Sequence, residues 1–302
     1  MINVGLIGYG KYGKKYYNNL LKDKNFKIIK ILRKSKKKTN NLFTNDKKDF
    51  FKLKNIDLYI IASPAASHYE YLRTALIKKK HVIIEKPLVD KFDEFKKIKK
   101  LIKNSRKIIL INHTDLYMNA YLILKKIIDK IGKIRSVKLV YGKIDLYPMG
   151  DIKNRYKLPH FEWLPHPLAI ILDLFKNQNF KIKLKEKRKI HKKKLYQNLK
   201  VFLVGKKINA EVNFSNYLKN KKRNLEIFGT NGSLLYKGYD KKKCFFKKNG
   251  MLNYIKTVEI DPLKNLLNNF KIKYKNKKFS DDRELIFSTT KYLFEISNNL
   301  EI

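Results

Sequence analysis

The residues with most chemical content stand at the start of the chain, where Gly8-Tyr9-Gly10-Lys11-Tyr12-Gly13 follows the apolar run Ile2–Ile7. A buried strand that breaks into Gly-x-Gly-x-x-Gly and continues as a helix can hold a dinucleotide pyrophosphate. The first glycine permits the tight turn, the second lets backbone approach the phosphates, and the third lets helix and strand pack closely. Unpaired N–H groups at the helix N-terminus and the helix dipole then favour the anion. Tyr9, Lys11 and Tyr12 fall within the same loop. Three glycines alone can mark a mere turn, so the strand and helix on either side give the motif its weight.

Two further strand ends carry unusual residues. Asp57–Ala62 reads as a strand ending in Ala62-Ser63-Pro64, and His81–Ile84 as a strand ending in Glu85-Lys86-Pro87. Ligands of open parallel sheets bind beyond the carboxyl ends of the strands. Between these ends, Ser67 is a candidate cap for a helix over Tyr71–Leu76, and His68 a residue that shapes the cofactor loop. The strand Phe26–Leu32 ends in Arg33-Lys34-Ser35, about 20 residues past the glycines, where an NAD site usually carries an acidic residue. A basic and hydroxyl cluster suits the 2′-phosphate of NADP. In a chain this rich in lysine the cluster can also be ordinary surface, so the expected cofactor is NADP or NAD, with NADP favoured.

The elements that must position these residues alternate strand and helix as far as Ile108–Ile111, followed by Asn112-His113. Such alternation predicts a doubly wound parallel sheet. From Phe180 onward the pattern turns strand-rich, with segments at Lys200–Val204, Ile208–Phe214, Leu225–Phe228 and Leu234–Tyr236. Helices are expected over Lys14–Leu21, from Asp90, and over Ala120–Ile131, Leu168–Phe175, Pro262–Phe270 and Ser280–Ile296.

Composition limits the alternatives. The chain has 302 residues, with 71 Lys and Arg against 26 Asp and Glu, a net charge of +45. Only eight of the basic residues are arginines, and the lysines are spread evenly. Enrichment in Lys, Asn, Ile, Tyr and Phe together is what AT-rich codons produce. Guanine-reading arginine forks are therefore scarce and no nucleic-acid partner is expected. No apolar run reaches the ~20 residues of a membrane span. The opening strand lacks a signal-peptide pattern, and the lone Cys244 cannot form an internal disulfide, so a cytoplasmic location is expected. Histidines and the cysteine show no metal-ligand spacing, and no metal is expected.

Ile60-Ile61-Ala62-Ser63-Pro64, His68, Ala75-Leu76 and His81-Val82-Ile83-Ile84-Glu85-Lys86-Pro87-Leu88 together resemble the central signature of the Gfo/Idh/MocA oxidoreductases. That family takes its name from glucose–fructose oxidoreductase, inositol dehydrogenase and a rhizopine-catabolism protein. The resemblance extends to Glu162-Trp163-Leu164-Pro165-His166 and to Gly229-Thr230-Asn231-Gly232, a hairpin motif whose glycines supply positive φ. It implies an N-terminal Rossmann domain over 1–115 and a C-terminal α/β domain over 116–302. The second domain would be built on an open, mostly antiparallel sheet, serve substrate binding and oligomerisation, and send the last helix back against the first domain.

The resemblance also implies chemistry: hydride transfer between nicotinamide and a hydroxyl or keto carbon of a sugar, cyclitol or sugar derivative. Lys86 matches the family's lysine, which donates to the substrate oxygen. His166 matches its histidine, suited to general acid–base work. Glu162 stands where the family has aspartate, four residues before His166, where a helix would put both side chains on one face. Pro165 and Pro167 restrict a helix there to a start at or just before His166. His113 and Tyr117 are candidates for the substrate pocket, as is the segment 151–159. His160 and His191 have no recognisable context. A homodimer or homotetramer through the C-terminal sheet is implied as well. The alternative reading is a dinucleotide-binding sensor of the same fold without catalysis.

Overall fold

A computed structural model describes residues 1–34, 40–145, 147–148, 158–176, 178–240, 242–277 and 282–300. Ser35 of the basic cluster and residues 151–157 of the expected substrate loop lie outside the described residues. The chain divides into two compact units, Met1–His113 with Leu263–Phe287, and Thr114–Pro262 with Ser288–Ile302.

The first unit opens with β1 (Ile2–Ile7), α1 (Lys11–Leu21), β2 (Phe26–Leu32), β3 (Phe43–Thr44) and α2 (Lys47–Lys52). It continues with β4 (Leu58–Ile61), α3 (His68–Ile77), β5 (His81–Glu85), α4 (Phe92–Asn104) and β6 (Ile109–Asn112). The strands form one sheet in the order β3-β2-β1-β4-β5-β6, every pair parallel. Helices on both faces leave no wet side, which is why β4, β5 and β6 are buried at every position. α4 shows the complementary logic. Phe95, Ile98 and Ile102 form its buried stripe, and Asp93 and Glu94 in the first turn with Lys103 in the last oppose the helix dipole. The chain leaves β1 towards β2 and β3, then returns to β4 on the other side of β1. That reversal makes the carboxyl ends of β1 and β4 the topological switch point, the place where such sheets bind ligands.

The second unit contains α5 (Asn119–Lys126), β7 (Ile134–Ile144), β8 (Tyr147–Pro148), α6 (Pro159–Trp163) and α7 (Pro165–Leu174). The strands β9 (Lys181–His191), β10 (Lys194–Val204), β11 (Asn209–Ser215), β12 (Tyr217–Gly229), β13 (Ser233–Lys237), β14 (Cys244–Lys248) and β15 (Met251–Ile255) follow. They form a nine-stranded sheet in the order β15-β14-β13-β12-β7-β11-β10-β8, with β9 also on β10. Among the described strands the β7–β11 pair is parallel and the other pairs are antiparallel. Helix α8 (Pro262–Lys275) belongs from Leu263 onward to the first unit, where Phe270 packs against Phe26 and His81 and Lys271 reaches Asp23 at 2.5 Å. Helix α9 (Arg283–Asn298) begins in the first unit and continues in the second.

Several expectations need correction. The helix expected over Ala120–Ile131 breaks after Lys126 into a 3-10 turn at Ile128–Ile131, ended by Gly132 at φ +69°. Ser67 caps nothing; its hydroxyl donates to the Pro64 carbonyl at 2.8 Å and lies within hydrogen-bond distance of the Ser63 hydroxyl, also at 2.8 Å. A short 3-10 turn, Ala65–Ser67, precedes α3, and Ser67 has φ −105° and ψ −3°, the helical region rather than the extended backbone of a capping residue. In the β12–β13 hairpin only Gly232 has positive φ; Gly229 is small because Ile131 passes against it. Among the described residues no helix is long and apolar enough to cross a membrane.

Candidate active site

The loop after β1 is built by backbone crowding. Gly8 lies at φ +95°, and a Cβ there would meet the Ala62 carbonyl oxygen at 2.5 Å, so the ends of β1 and β4 approach as only glycine allows. A Cβ on Gly13 would clash with the carbonyl of Gly8, which seats the first turn of α1 on the loop. Gly10 is different: a Cβ there meets nothing within 4 Å. Space stands over Gly10, next to a helix N-terminus with no side-chain cap and no acid in its first turn. The first-turn N–H groups and that open volume suit a pyrophosphate, so the residues present fit a dinucleotide.

Beyond the neighbouring strands, side chains tie the loops together. His68 is 1% exposed, with Nδ1 2.7 Å from the Pro87 carbonyl and Nε2 2.9 Å from the Ser63 carbonyl. Burial lowers its pKa, and the two carbonyls oppose that shift. Glu85 is buried at the end of β5 in register with Asn112 of β6, whose Nδ2 donates to Oε1 at 2.7 Å. Burial raises the Glu85 pKa, countered by Asn112, by the adjacent Lys86 charge and by the Tyr16 hydroxyl. Lys86, half-buried, is the first residue past β5 and precedes Pro87 through a cis peptide. His113 is the first residue past β6 and is 3% exposed. Burial, then the Lys86 charge, push its pKa down to about 3.

At the far side of the edge, the Arg33 guanidinium lies over the Phe43 ring, 4.4 Å from its centroid, and the Arg33 N–H donates to the Thr44 carbonyl at 2.9 Å. The Phe43 ring also meets Tyr9 edge to face at 5.0 Å, and Tyr9 meets Tyr17 at 5.5 Å. Lys34 is exposed beside it. Arg33 (past β2), Gly8 (β1), Ser63 (β4), Lys86 (β5) and His113 (β6) thus run in strand order along one edge. Four strand spacings make that edge about 19 Å long, the scale of an extended dinucleotide with room at one end.

In the second unit, Glu162 lies on α6 and His166 on α7, joined through Leu164, which keeps helical φ −63° and ψ −26°. The helix therefore begins one turn earlier than the prolines suggest. Pro159 occupies its first turn, Pro165 and Pro167 cost only the two backbone bonds they cannot donate, and Leu164 and Leu168 still bond to His160 and Leu164. Glu162 is exposed, and His166 is 6% exposed. Tyr117, half-buried, ends the 3-10 turn Thr114–Tyr117.

Two buried polar clusters escaped sequence reasoning. His160 accepts at Nδ1 from Gln197 Nε2 (3.1 Å) and donates from Nε2 to Ser297 Oγ (3.0 Å), since that hydroxyl is already committed as donor to the Leu293 carbonyl (2.8 Å). Gln197 Nε2 also donates to Glu186 at 2.6 Å, and Arg188 holds Glu186 through two nitrogens. The chain of donors assigns the neutral Nε2–H tautomer, and burial pushes the His160 pKa down to about 3. The second cluster joins Asp115, 1% exposed, to the Tyr141 hydroxyl (2.6 Å) and Arg223 Nη1 (2.9 Å). Removing either charge of this pair would strand the other in the core. Their partners lie tens of residues away, so no local signal marks them.

A doubly wound sheet with a glycine turn at its switch point and an uncapped helix behind it defines a dinucleotide-binding domain. Residues 2–113 match the Gfo/Idh/MocA family model, described as "Oxidoreductase family, NAD-binding Rossmann fold". Scyllo-inositol 2-dehydrogenase (NADP(+)) IolW of Bacillus subtilis is 25% identical over 150 residues, 47% of this chain and 42% of the relative, so the match spans less than half of that protein. Over the full chain the fold is shared with solved structures. UDP-N-acetylglucosamine 3-dehydrogenase GnnA of Acidithiobacillus ferrooxidans superposes with TM-score 0.82 at 13% identity, covering 99% of this chain and 97% of that one. The 3-ketoreductase KijD10 of Actinomadura kijaniata, in complex with TDP-benzene and NADP, gives 0.80 at 16% identity, covering 98% and 97%.

Proposed function

We propose that the chain is an NAD(P)-dependent oxidoreductase, NADP preferred, acting on a hydroxyl or keto carbon of a sugar, cyclitol or sugar derivative. The observation that carries the proposal is the placement of Lys86 on the same carboxyl edge as the Gly8–Gly13 turn, four residue types along a line that ends in Arg33. The bound nicotinamide supplies the hydride carrier. The loop N–H groups of α1 hold the pyrophosphate, and Arg33, stacked on Phe43, takes the 2′-phosphate. Lys86 donates a hydrogen bond to the substrate oxygen and stabilises charge that develops there. His166 exchanges the hydroxyl proton, and Glu162, four residues earlier on the same helical path, is the positioning residue for its ring. A sugar-like substrate is supported by the names of the relatives, which act on an inositol, a nucleotide sugar and a 3-keto group. Assembly of two or four copies through the second sheet belongs to the same reading and is checked by light scattering.

The test is a pair of measurements on Lys86→Met. Turnover of polyols with NADP+ should fall by three orders of magnitude or more while NADPH still binds. Undiminished turnover overturns the assignment.

A further inference from the structure

Five histidines are buried among the described residues, and His68, His81 and His160 are each held by hydrogen bonds through the ring. His68 bridges two carbonyls, His81 accepts from the Ile108 N–H at 3.0 Å, and His160 sits in its relay. His113 stands apart: among the described residues neither of its ring nitrogens has a hydrogen-bond partner. A polar group stripped of water and left alone carries its full desolvation penalty, so such a group points to a ligand that completes it.

Its position says where the ligand lies. Glu85 and Asn112 are the last registered pair of β5 and β6. Lys86 and His113 are the next residues past that pair, and the Lys86 charge acts on the His113 ring. The chemistry of the ring says what the ligand is. Burial and the Lys86 charge keep His113 neutral at ordinary pH, so one nitrogen donates and the other accepts. A hydroxyl suits whichever of the two nitrogens faces it, because it can accept from the N–H or donate to the bare nitrogen. An ammonium group only donates and a carboxylate only accepts.

We propose that His113 is a specificity-determining residue that hydrogen-bonds a hydroxyl on the carbon next to the one exchanging hydride. The substrate class is then a vicinal polyol or α-hydroxy ketone, rather than a simple alcohol or ketone. The inference rests on the oxidoreductase reading and on Lys86 meeting the reacting oxygen.

The experiment compares NADPH-dependent reduction of 2-hydroxycyclohexanone and cyclohexanone by the native chain, His113→Asn and His113→Phe, with NADPH affinity measured alongside. The native chain should favour the hydroxy ketone by about 100-fold in kcat/KM. His113→Phe should bring the ratio near unity at unchanged NADPH affinity, and His113→Asn, which keeps a donor and an acceptor, should retain part of it. A ratio untouched in His113→Phe overturns the proposal. So does a loss of NADPH affinity without ketone, since the ring would then serve the nicotinamide. Native protein that binds NADPH yet reduces neither ketone and oxidises no inositol overturns the oxidoreductase reading itself, and this inference with it.

Discussion

The imidazole of His68 joins the Ser63 carbonyl to that of Pro87, so one buried ring fixes the loop after β4 against the loop after β5. Both loops flank the proposed nicotinamide position, and Lys86 is bonded directly to Pro87. Replacing His68 by Ala removes two hydrogen bonds and leaves a cavity in a 1%-exposed site, at a cost of about 2–4 kcal/mol. NADPH affinity should drop about tenfold because the two loops are no longer held in register. Fluorescence titration of NADPH checks the second number and urea unfolding the first. An unchanged affinity in a destabilised variant would reduce His68 to a packing residue.

The three loop glycines answer different demands, and alanine separates them. At Gly13 and Gly8 an added methyl meets backbone, so both variants should fold poorly. Gly10→Ala meets no protein atom within 4 Å, so stability should stay within about 0.5 kcal/mol of the native chain or rise slightly. NADPH affinity should nonetheless fall tenfold or more, since the methyl occupies the space assigned to phosphate. Loss of binding at full stability is the signature to look for in melting curves with and without NADPH.

What was legible in the sequence was what local backbone chemistry specifies. The glycine turn, the buried strand runs and the strand-end residues Lys86 and His113 all follow from short-range pattern, and the strands expected in the first unit lie within a residue of expectation, whereas β10 and β12 start six and eight residues before the expected Lys200 and Leu225. The strand β9 hides its alternation, because Lys181, Lys183, Lys185, Lys187 and Lys189 occupy one side in a chain where lysine is everywhere. Helix α6 was masked by three prolines, of which Pro159 falls in its own first turn and Pro165 and Pro167 in the first turn of α7. Partners across long separations were invisible: Phe43 under Arg33 becomes a neighbour only once β3 pairs with β2, and His160 meets Ser297 across 137 residues.

Arg33 offers a test of cofactor choice. Its guanidinium is held over the Phe43 ring, 4.4 Å from the centroid, which pre-positions the fork a 2′-phosphate needs. Arg33→Ala should weaken NADPH by about 10- to 100-fold and NADH by less than threefold. Raising salt should narrow the native preference for NADPH, since the contact is partly exposed. Equal weakening of both cofactors would place Arg33 on the adenine ring or the loop instead of the phosphate.

Acid should unfold the second unit through His160. The folded state keeps this ring neutral, with a pKa pushed to about 3, whereas the unfolded chain titrates near 6.5. The unfolded state therefore binds the extra proton between those values, and stability is full above about pH 6.5 and declines as pH falls towards 3. The limiting slope for one such group is about 1.4 kcal/mol per pH unit. Trp163, the single tryptophan, lies on α6 three residues from His160 and reports this unit alone. Urea midpoints followed by its fluorescence should fall steadily from pH 7 to pH 4. His160→Gln removes the titrating group while keeping a donor and an acceptor, so it should start less stable at pH 7 and lose less on acidification. Parallel pH profiles for the two proteins would mean that the acid sensitivity resides in other groups.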